Sequence, residues 1–381
     1  MKKRNVKNII IGYAFPAMSA VLFSFFLPFY LKVQGLTILE IGALFTIGIA
    51  LGRLVVSLIY SNLLKKIKLK TGLVLSVILS FIQSIILFIF PTAAGSLLAK
   101  FINSGEDITS KISEDVALQH NVSKQNQRKI GAISWATDSG AIILGIIIAL
   151  LIIPIIGFKF SFLVFALITL PAIFFYSRVE DKTRFKLKGN KMQLPKIPIQ
   201  LKIVLFAEII YWFALASSFA LVITFLVTDK FQGSMNWIGI LFIGLYLSLT
   251  ITSLLSNKYL EKKNLFQTAM WGMIILFFSA LLIIVSQNLY IVLLAMILEG
   301  IGAGIWGPSK VAIYWKLTPK ELRENVSGYL QGSQGFVSTL GPLMGGWLVV
   351  TFGILSPFYF KAIISGIIIF IYGGLYYKLR K

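Results

Sequence analysis

The chain has 381 residues, of which 57% are hydrophobic and only 13% charged, with a net charge of +22, one histidine and no cysteine. A soluble domain carries about 45–50% apolar residues and roughly 25% charged ones, and a single core does not grow far past this length. A soluble enzyme, a nucleic-acid binder and a disordered chain are therefore excluded. Without cysteine, and with His120 as the lone histidine, the chain has no disulfide, no thiolate nucleophile and no multi-histidine metal cluster, so neither metal nor cofactor is expected.

Charge-free runs mark the helices in chain order. Residues 8–31, 139–158, 160–177 and 209–228 are each long enough for about one crossing of the hydrocarbon. The runs 71–99, 264–298 and 325–360 are too long for one helix, and Pro91, Gln287–Asn288 and Gly353 supply the turns that divide them. The pattern predicts an all-α polytopic membrane protein of twelve spans, centred near residues 20, 50, 80, 106, 141, 168, 215, 247, 275, 302, 338 and 366. The basic start of the chain followed by an apolar stretch resembles a signal peptide, but it reads as a retained first span, because cleavage would spoil the charge alternation.

That alternation fixes the expected orientation. With both termini in the cytoplasm, the cytoplasmic segments take 28 Lys and Arg, and four fall outside: Lys32, Lys159, Lys230 and Lys361. Arg53, Lys100, Lys111 and Lys310 fall within spans. Positive charge thus concentrates on the inner side, the bias expected of a multi-pass protein of the cell membrane. The basic balance reflects topology and an attraction to anionic lipid heads, and calls for no nucleic acid.

The chain also repeats itself. Lys32-Val33-Gln34-Gly35 returns as Lys230-Phe231-Gln232-Gly233, and Ile41-Gly42-Ala43-Leu44-Phe45 as Ile238-Gly239-Ile240-Leu241-Phe242. Ser61-Asn62 returns as Ser256-Asn257, and Leu97-Leu98-Ala99 as Leu293-Leu294-Ala295. The offsets, 195 to 198 residues, are collinear. Six helices per repeat is an even number, so the two halves are parallel repeats: residues 1–178, a basic cytoplasmic linker 179–202, and residues 203–381.

Charges at depth are the best pointer to function, since each costs about 2.5–3.5 kcal/mol at the bilayer centre on insertion scales. The fourth helix carries Lys100, Glu106, Asp107, Lys111, Glu114 and Asp115. Glu106 and Asp107 are candidates for a wet cavity and for proton coupling. Glu114 and Asp115 read as solvated near the cytoplasmic end, with Lys111 as their partner. Arg53 either binds an anionic substrate group or neutralises a carboxylate of the fourth helix. Asp138 in the fifth helix and Glu208 in the seventh are proton sites or members of gate ion pairs. In the tenth helix Glu299 lies near mid-depth, Lys310 is expected to snorkel to the cytoplasm, and Trp306 lies between them on the same face. Tyr13, Phe23, Tyr211 and Trp212 read as packing residues.

On Thr318-Pro319-Lys320-Glu321-Leu322-Arg323 and Gly341-Pro342-Leu343-Met344-Gly345-Gly346 the chain resembles the major facilitator superfamily, and the resemblance extends over its whole length. It implies two six-helix halves that rock about a central cavity. Lys100 and Asn103 stand where the family's fourth-helix Arg-x-x-Gln motif would lie, so Lys100 replaces an Arg tied to proton handling. Residues 60–72 read YSNLLKKIKLKTG and lack the family's acid. The fifth helix has only Gly145 and Ala149 of the Gly-Pro-x-x-Gly-Gly pattern, which sits instead in the eleventh. Its antiporter meaning does not transfer, and Gly341, Pro342, Gly345 and Gly346 read as helix-packing residues.

The expected function is secondary active transport of a small molecule by alternating access, as proton-coupled export of amphiphilic or cationic compounds by a monomer. The alternative is a proton symporter or uniporter for a polar metabolite such as a sugar or organic anion. A membrane-embedded enzyme ranks below both, because no constellation of His and Asp lies near an interface.

Overall fold

The computed structural model describes residues 3–63, 69–121, 127–180, 197–259, 264–318 and 323–380, and every regular element in them is helical. The first span is α1 (Lys3–Val21), a π-turn (Leu22–Phe26) and α2 (Leu27–Val33). Then follow α3 (Ile38–Leu63), α4 (Leu69–Ile89), α5 (Ala93–Asn121), α6 (Gln127–Thr169) and α7 (Pro171–Ser177). The seventh span is α8 (Ile199–Ser218), α9 (Ala220–Phe225) and a second π-turn (Leu226–Lys230). The last five are α10 (Met235–Tyr259), α11 (Leu265–Ile284), α12 (Leu289–Leu317), α13 (Arg323–Phe352) and α14 (Ser356–Arg380).

Ten of these stretches are long and apolar enough to cross a membrane. Two physical facts raise the number to twelve. Residues Ile133–Ser177 form one stretch of 45 residues, about twice a bilayer, and Gly157 at φ 74° breaks it where two helices meet. The other is α5, whose charges lower its mean hydropathy although its 29 residues are long enough to cross. The turn at Gly353 likewise uses a left-handed glycine, φ 92°, to stop α13 before Ser356 opens α14.

Contacts divide the chain into two compact units. Unit 1 comprises Met1–Leu36, Ala43–Ile130 and Gly140–Gly189; unit 2 comprises Thr37–Gly42, Gly131–Ser139 and Asn190–Lys381. Each unit repeats the same neighbour pattern. In unit 1, α4 packs on α5 and α1 on α7; in unit 2, α11 packs on α12 and α8 on α14. The outer ends are tied alike as well. In unit 1 the Tyr30 hydroxyl and the Gln34 amide donate to the Pro91 carbonyl at 2.9 and 2.8 Å. In unit 2 the Lys230 ammonium donates to the Ser286 carbonyl at 3.0 Å.

The core of unit 2 gathers Tyr211, Met273, Leu276, Trp306, Ile313 and Tyr372, while unit 1 buries Ile9, Leu73, Val77 and Tyr176 together. Within unit 2, Gly341 and Gly345 have no room for a Cβ against Ala216 and the Ser217 carbonyl, so α13 and α8 meet backbone to backbone. Gly42 and Gly346 allow the same approach at Pro342 and Ile38.

Candidate functional site

In unit 1 the polar groups hang on α3 and α5. Arg53 Nη2 stands 3.5 Å from Asp107 Oδ2, with 20% and 33% of the two side chains exposed. Of the two roles open to Arg53, neutralising a fourth-span carboxylate is the contact seen, yet its Nε and Nη1 are buried with no hydrogen-bond partner. Glu106, next along α5, is half-buried.

Lys100 is buried, and the first span explains how an ammonium is held there. The π-turn sends the N–H of Leu27 to the Leu22 carbonyl, five residues back. Phe23 O thereby loses its usual i+4 donor, and the next residue, Pro28, has no N–H to offer. Lys100 Nζ donates to that freed carbonyl at 3.1 Å and lies 4.3 Å from the centre of the Phe45 ring.

Glu114 is not solvated as its position near the helix end suggests. It is buried, accepting hydrogen bonds from Tyr176 OH at 2.9 Å and Ser110 Oγ at 3.1 Å. Gly12 makes this possible, because a Cβ there would press into the Tyr176 ring. The expected pairing of Lys111 with Glu114 and Asp115 involves side chains outside the described residues, as do the side chain of His120 and most of the 318–323 motif. Asp138 is half-buried in α6.

Two buried ion pairs of unit 2 lie in separate clusters. Glu208, 1% exposed, receives Lys310 Nζ at 2.5 Å, the indole N–H of Trp212 at 3.2 Å and the Gln334 amide, all on Oε1. Lys310 therefore does not snorkel. Its stem stays inside the unit because a buried carboxylate takes its charge, and its ammonium lies 4.3 Å from the Trp306 ring centre and 5.2 Å from that of Trp212. Trp306 donates to Tyr372 OH at 3.3 Å and meets Tyr211 edge-on at 4.8 Å.

The second pair corrects another expectation. Lys361 is not an outer-loop charge: it lies in α14, 3% exposed, with Nζ 2.6 Å from Glu299 Oε1. Ser279 of α11 donates to the other oxygen, Glu299 Oε2, at 2.9 Å. Glu299 and Lys310 share a face of α12 but end in different clusters. Gln334 and Lys361 lie outside the set of candidate site residues that the sequence pattern offers. Their signals were an amide inside the eleventh span and a lysine five residues inside a helix.

Among the described residues no group of three or more His, Asp or Glu could hold a metal ion. Charged side chains are thus buried inside both units of this multi-pass helical chain. Residues 204–381 match the family described as Major Facilitator Superfamily. A comparison with curated proteins finds no match. Among solved structures, the human organic anion transporter MFSD10 (TETRAN) is similar with a TM-score of 0.74 at 13% identity, over 97% of this chain and 99% of that one. A bacterial homologue of the iron transporter ferroportin is similar in its inward-facing state, with a TM-score of 0.71 at 13% identity over 98% of both chains. Its outward-facing state gives 0.67 at 13% identity, over 96% of this chain and 98% of that one. The second half of the chain thus matches the major facilitator superfamily, and the whole chain shares the fold of these structures, twelve helices in two parallel repeats.

Proposed function

We propose that the chain is a secondary active transporter of the cell membrane that exports cationic amphiphilic compounds in exchange for protons, with the Glu208–Lys310 pair as its coupling site. The observation that carries the reading is the seat of the Lys310 ammonium: a buried carboxylate on one side and the indole faces of Trp212 and Trp306 on the other. A carboxylate flanked by aromatic faces is the chemistry that recognises an organic cation. Here the chain's own lysine occupies it.

Glu208 can neutralise one positive charge at a time. Proton, lysine and cationic substrate therefore compete for it, and such exclusion is what couples opposing fluxes. When Glu208 takes a proton, Lys310 loses its counter-charge, and a buried unpaired ammonium is costly enough to drive rearrangement. Asp107 and Glu106 supply further negative charge on α5, and Asp138 is a third carboxylate at depth.

A second reading, transport of an organic anion, is favoured by Arg53, whose Nε and Nη1 are buried without partners. One of the similar structures is named as an organic anion transporter, although at 13% identity.

The two readings part in one experiment. The purified protein is reconstituted in liposomes, a pH gradient is imposed, and a lipophilic cationic dye is followed beside Glu208→Gln. Gradient-driven dye movement that the variant loses supports the first reading. Dye movement that ignores both the gradient and Glu208→Gln overturns it. An inert dye together with gradient-driven flux of an organic anion, lost in Arg53→Gln, establishes the second.

A further inference from the structure

Glu208 divides its two oxygens unequally. Oε1 takes the bonds from Lys310, Trp212 and Gln334, whereas Oε2 is buried with no hydrogen-bond partner. Two more buried oxygens in the same part of unit 2 share that condition, Tyr314 OH and Thr318 Oγ1. Other buried hydroxyls nearby fold back onto their own helix: Ser309 donates to the Ile305 carbonyl at 2.8 Å and Thr339 to the Gly335 carbonyl at 2.7 Å.

These oxygens lie in order. Lys310, Tyr314 and Thr318 follow one another at i+4, so they form one stripe along α12, and Thr318 caps the end that the charge bias places at the cytoplasm. Tyr314 packs against Leu201 and Leu205 of α8, one turn before Glu208. Side chains at i and i+4 are neighbours on a helix surface, with Cβ atoms about 5–6 Å apart, and polar oxygens on one stripe can be bridged by water. Buried polar oxygens without protein partners are the places where proteins hold ordered water.

We infer that the hydroxyls of Thr318 and Tyr314 form a hydrated row from the cytoplasmic end of α12 to Glu208 Oε2, giving the proton a route inside unit 2. The proposal rests on the reading that Glu208 takes the coupled proton. Along the row a proton passes from a cytoplasmic hydronium to water and hydroxyl oxygens in turn, each accepting one O–H bond as it releases another, and ends on Oε2. Charge is conserved, because Glu208 becomes neutral as the proton arrives. Lys310 from α12, Gln334 from α13 and Trp212 on its own helix bond to Glu208, and the Tyr372 hydroxyl of α14 lies within its electrostatic reach. None of the three bonds to Oε2, so this oxygen is the one open to the row. Tyr314 and Thr318 are positioning residues in this scheme, since they act through the water they order.

The test is infrared difference spectroscopy of the full chain in lipid after a rapid drop in pH, following the C=O stretch of a protonated carboxyl, with Glu208→Gln to identify the band. Tyr314→Phe and Thr318→Val are expected to delay the Glu208 band about tenfold, the barrier cost of a lost hydrogen bond, and to leave its final amplitude unchanged. Thr318→Ser, which keeps the hydroxyl, restores the wild-type rate. A purely structural role would change the amplitude or leave Thr318→Ser as slow as Thr318→Val, and either result overturns the row. Wild-type rates in Tyr314→Phe and Thr318→Val overturn it while leaving Glu208 as the proton site. A spectrum that Glu208→Gln does not alter overturns both the row and the coupling role of Glu208.

Discussion

Tyr176 and Tyr372 stand 196 residues apart and hold the same station in their own units, each with its ring buried and its hydroxyl turned to the central helix of its repeat. Tyr176 OH donates to Glu114 of α5, and Tyr372 OH receives the indole N–H of Trp306 of α12. The same offset pairs Glu114 with Lys310 and Gly12 with Glu208. One fold position thus carries an acid in the first repeat and a base in the second. Where the seventh span sends a carboxylate across to Lys310, the first span has only a glycine, and the Tyr176 ring fills the space.

Gly12→Ala is therefore expected to destabilise unit 1 by about 1–3 kcal/mol, the usual cost of overpacking a tight contact. Thermal unfolding in detergent measures it. Tyr176→Leu added to Gly12→Ala should recover part of the loss, because it removes the ring that the new methyl meets. A Gly12→Ala protein as stable as the wild type would mean that Tyr176 has room to move aside.

The Glu299–Lys361 pair is expected to act on stability alone. Both groups are buried and bonded to each other, and Ser279 takes the remaining carboxylate oxygen. Lys361→Met leaves a buried carboxylate unpaired and should cost about 3–5 kcal/mol, whereas Glu299→Gln with Lys361→Met should return near wild-type stability. Transport by the double variant should keep its dependence on the pH gradient. Loss of that dependence in a stable double variant would return Glu299 to the coupling candidates.

Asp107 and Glu208 should separate in the same transport assay. The Arg53–Asp107 pair is partly exposed and 3.5 Å long, so Asp107→Asn is expected to change stability by less than about 1 kcal/mol. It should alter the apparent affinity for the dye several-fold and keep the gradient dependence. Glu208→Gln should abolish the gradient dependence. The opposite pattern would move the coupling site to α5.

The twelve spans and the parallel repeat were legible because hydropathy and the Lys/Arg bias act on every residue of a span, and their sum survives local irregularity. The charged side chains were legible only as depths. Lys310 reads as snorkelling because a lone lysine near a helix end usually does, and Lys361 reads as an outer-loop charge, because a partner on another helix leaves no trace in linear spacing. Glu208 lies 102 residues from Lys310, and Glu299 lies 62 from Lys361. The hold on Lys100 was unreadable for a related reason. Pro28 announces a missing N–H, but which carbonyl is freed depends on the π-turn that re-registers the bonds before it.

The repeat also distributes small residues in a way that can be tested by exchange. In unit 1, Gly52 of α3 lies against Ser104 and the Phe101 carbonyl of α5, with no space for a Cβ. In unit 2, Gly300 of α12 lies against Ser248 and the Leu245 carbonyl of α10. Both pairs are 196 residues apart, Gly52 with Ser248 and Ser104 with Gly300, so the two repeats solve one close crossing with the glycine on opposite helices. Each serine turns its hydroxyl back onto its own helix, Ser104 to the Phe101 carbonyl at 2.8 Å and Ser248 to the Leu245 carbonyl at 2.9 Å. The crossing therefore needs one glycine and tolerates one small hydroxyl, whichever helix supplies which. Gly52→Ser alone puts two side chains in a space for one and should cost about 1–3 kcal/mol in thermal unfolding. Gly52→Ser with Ser104→Gly reproduces the arrangement of unit 2 and should recover most of that loss. A double variant no more stable than Gly52→Ser would show that the backbones of α3 and α5 are not equivalent to those of α10 and α12 at this crossing.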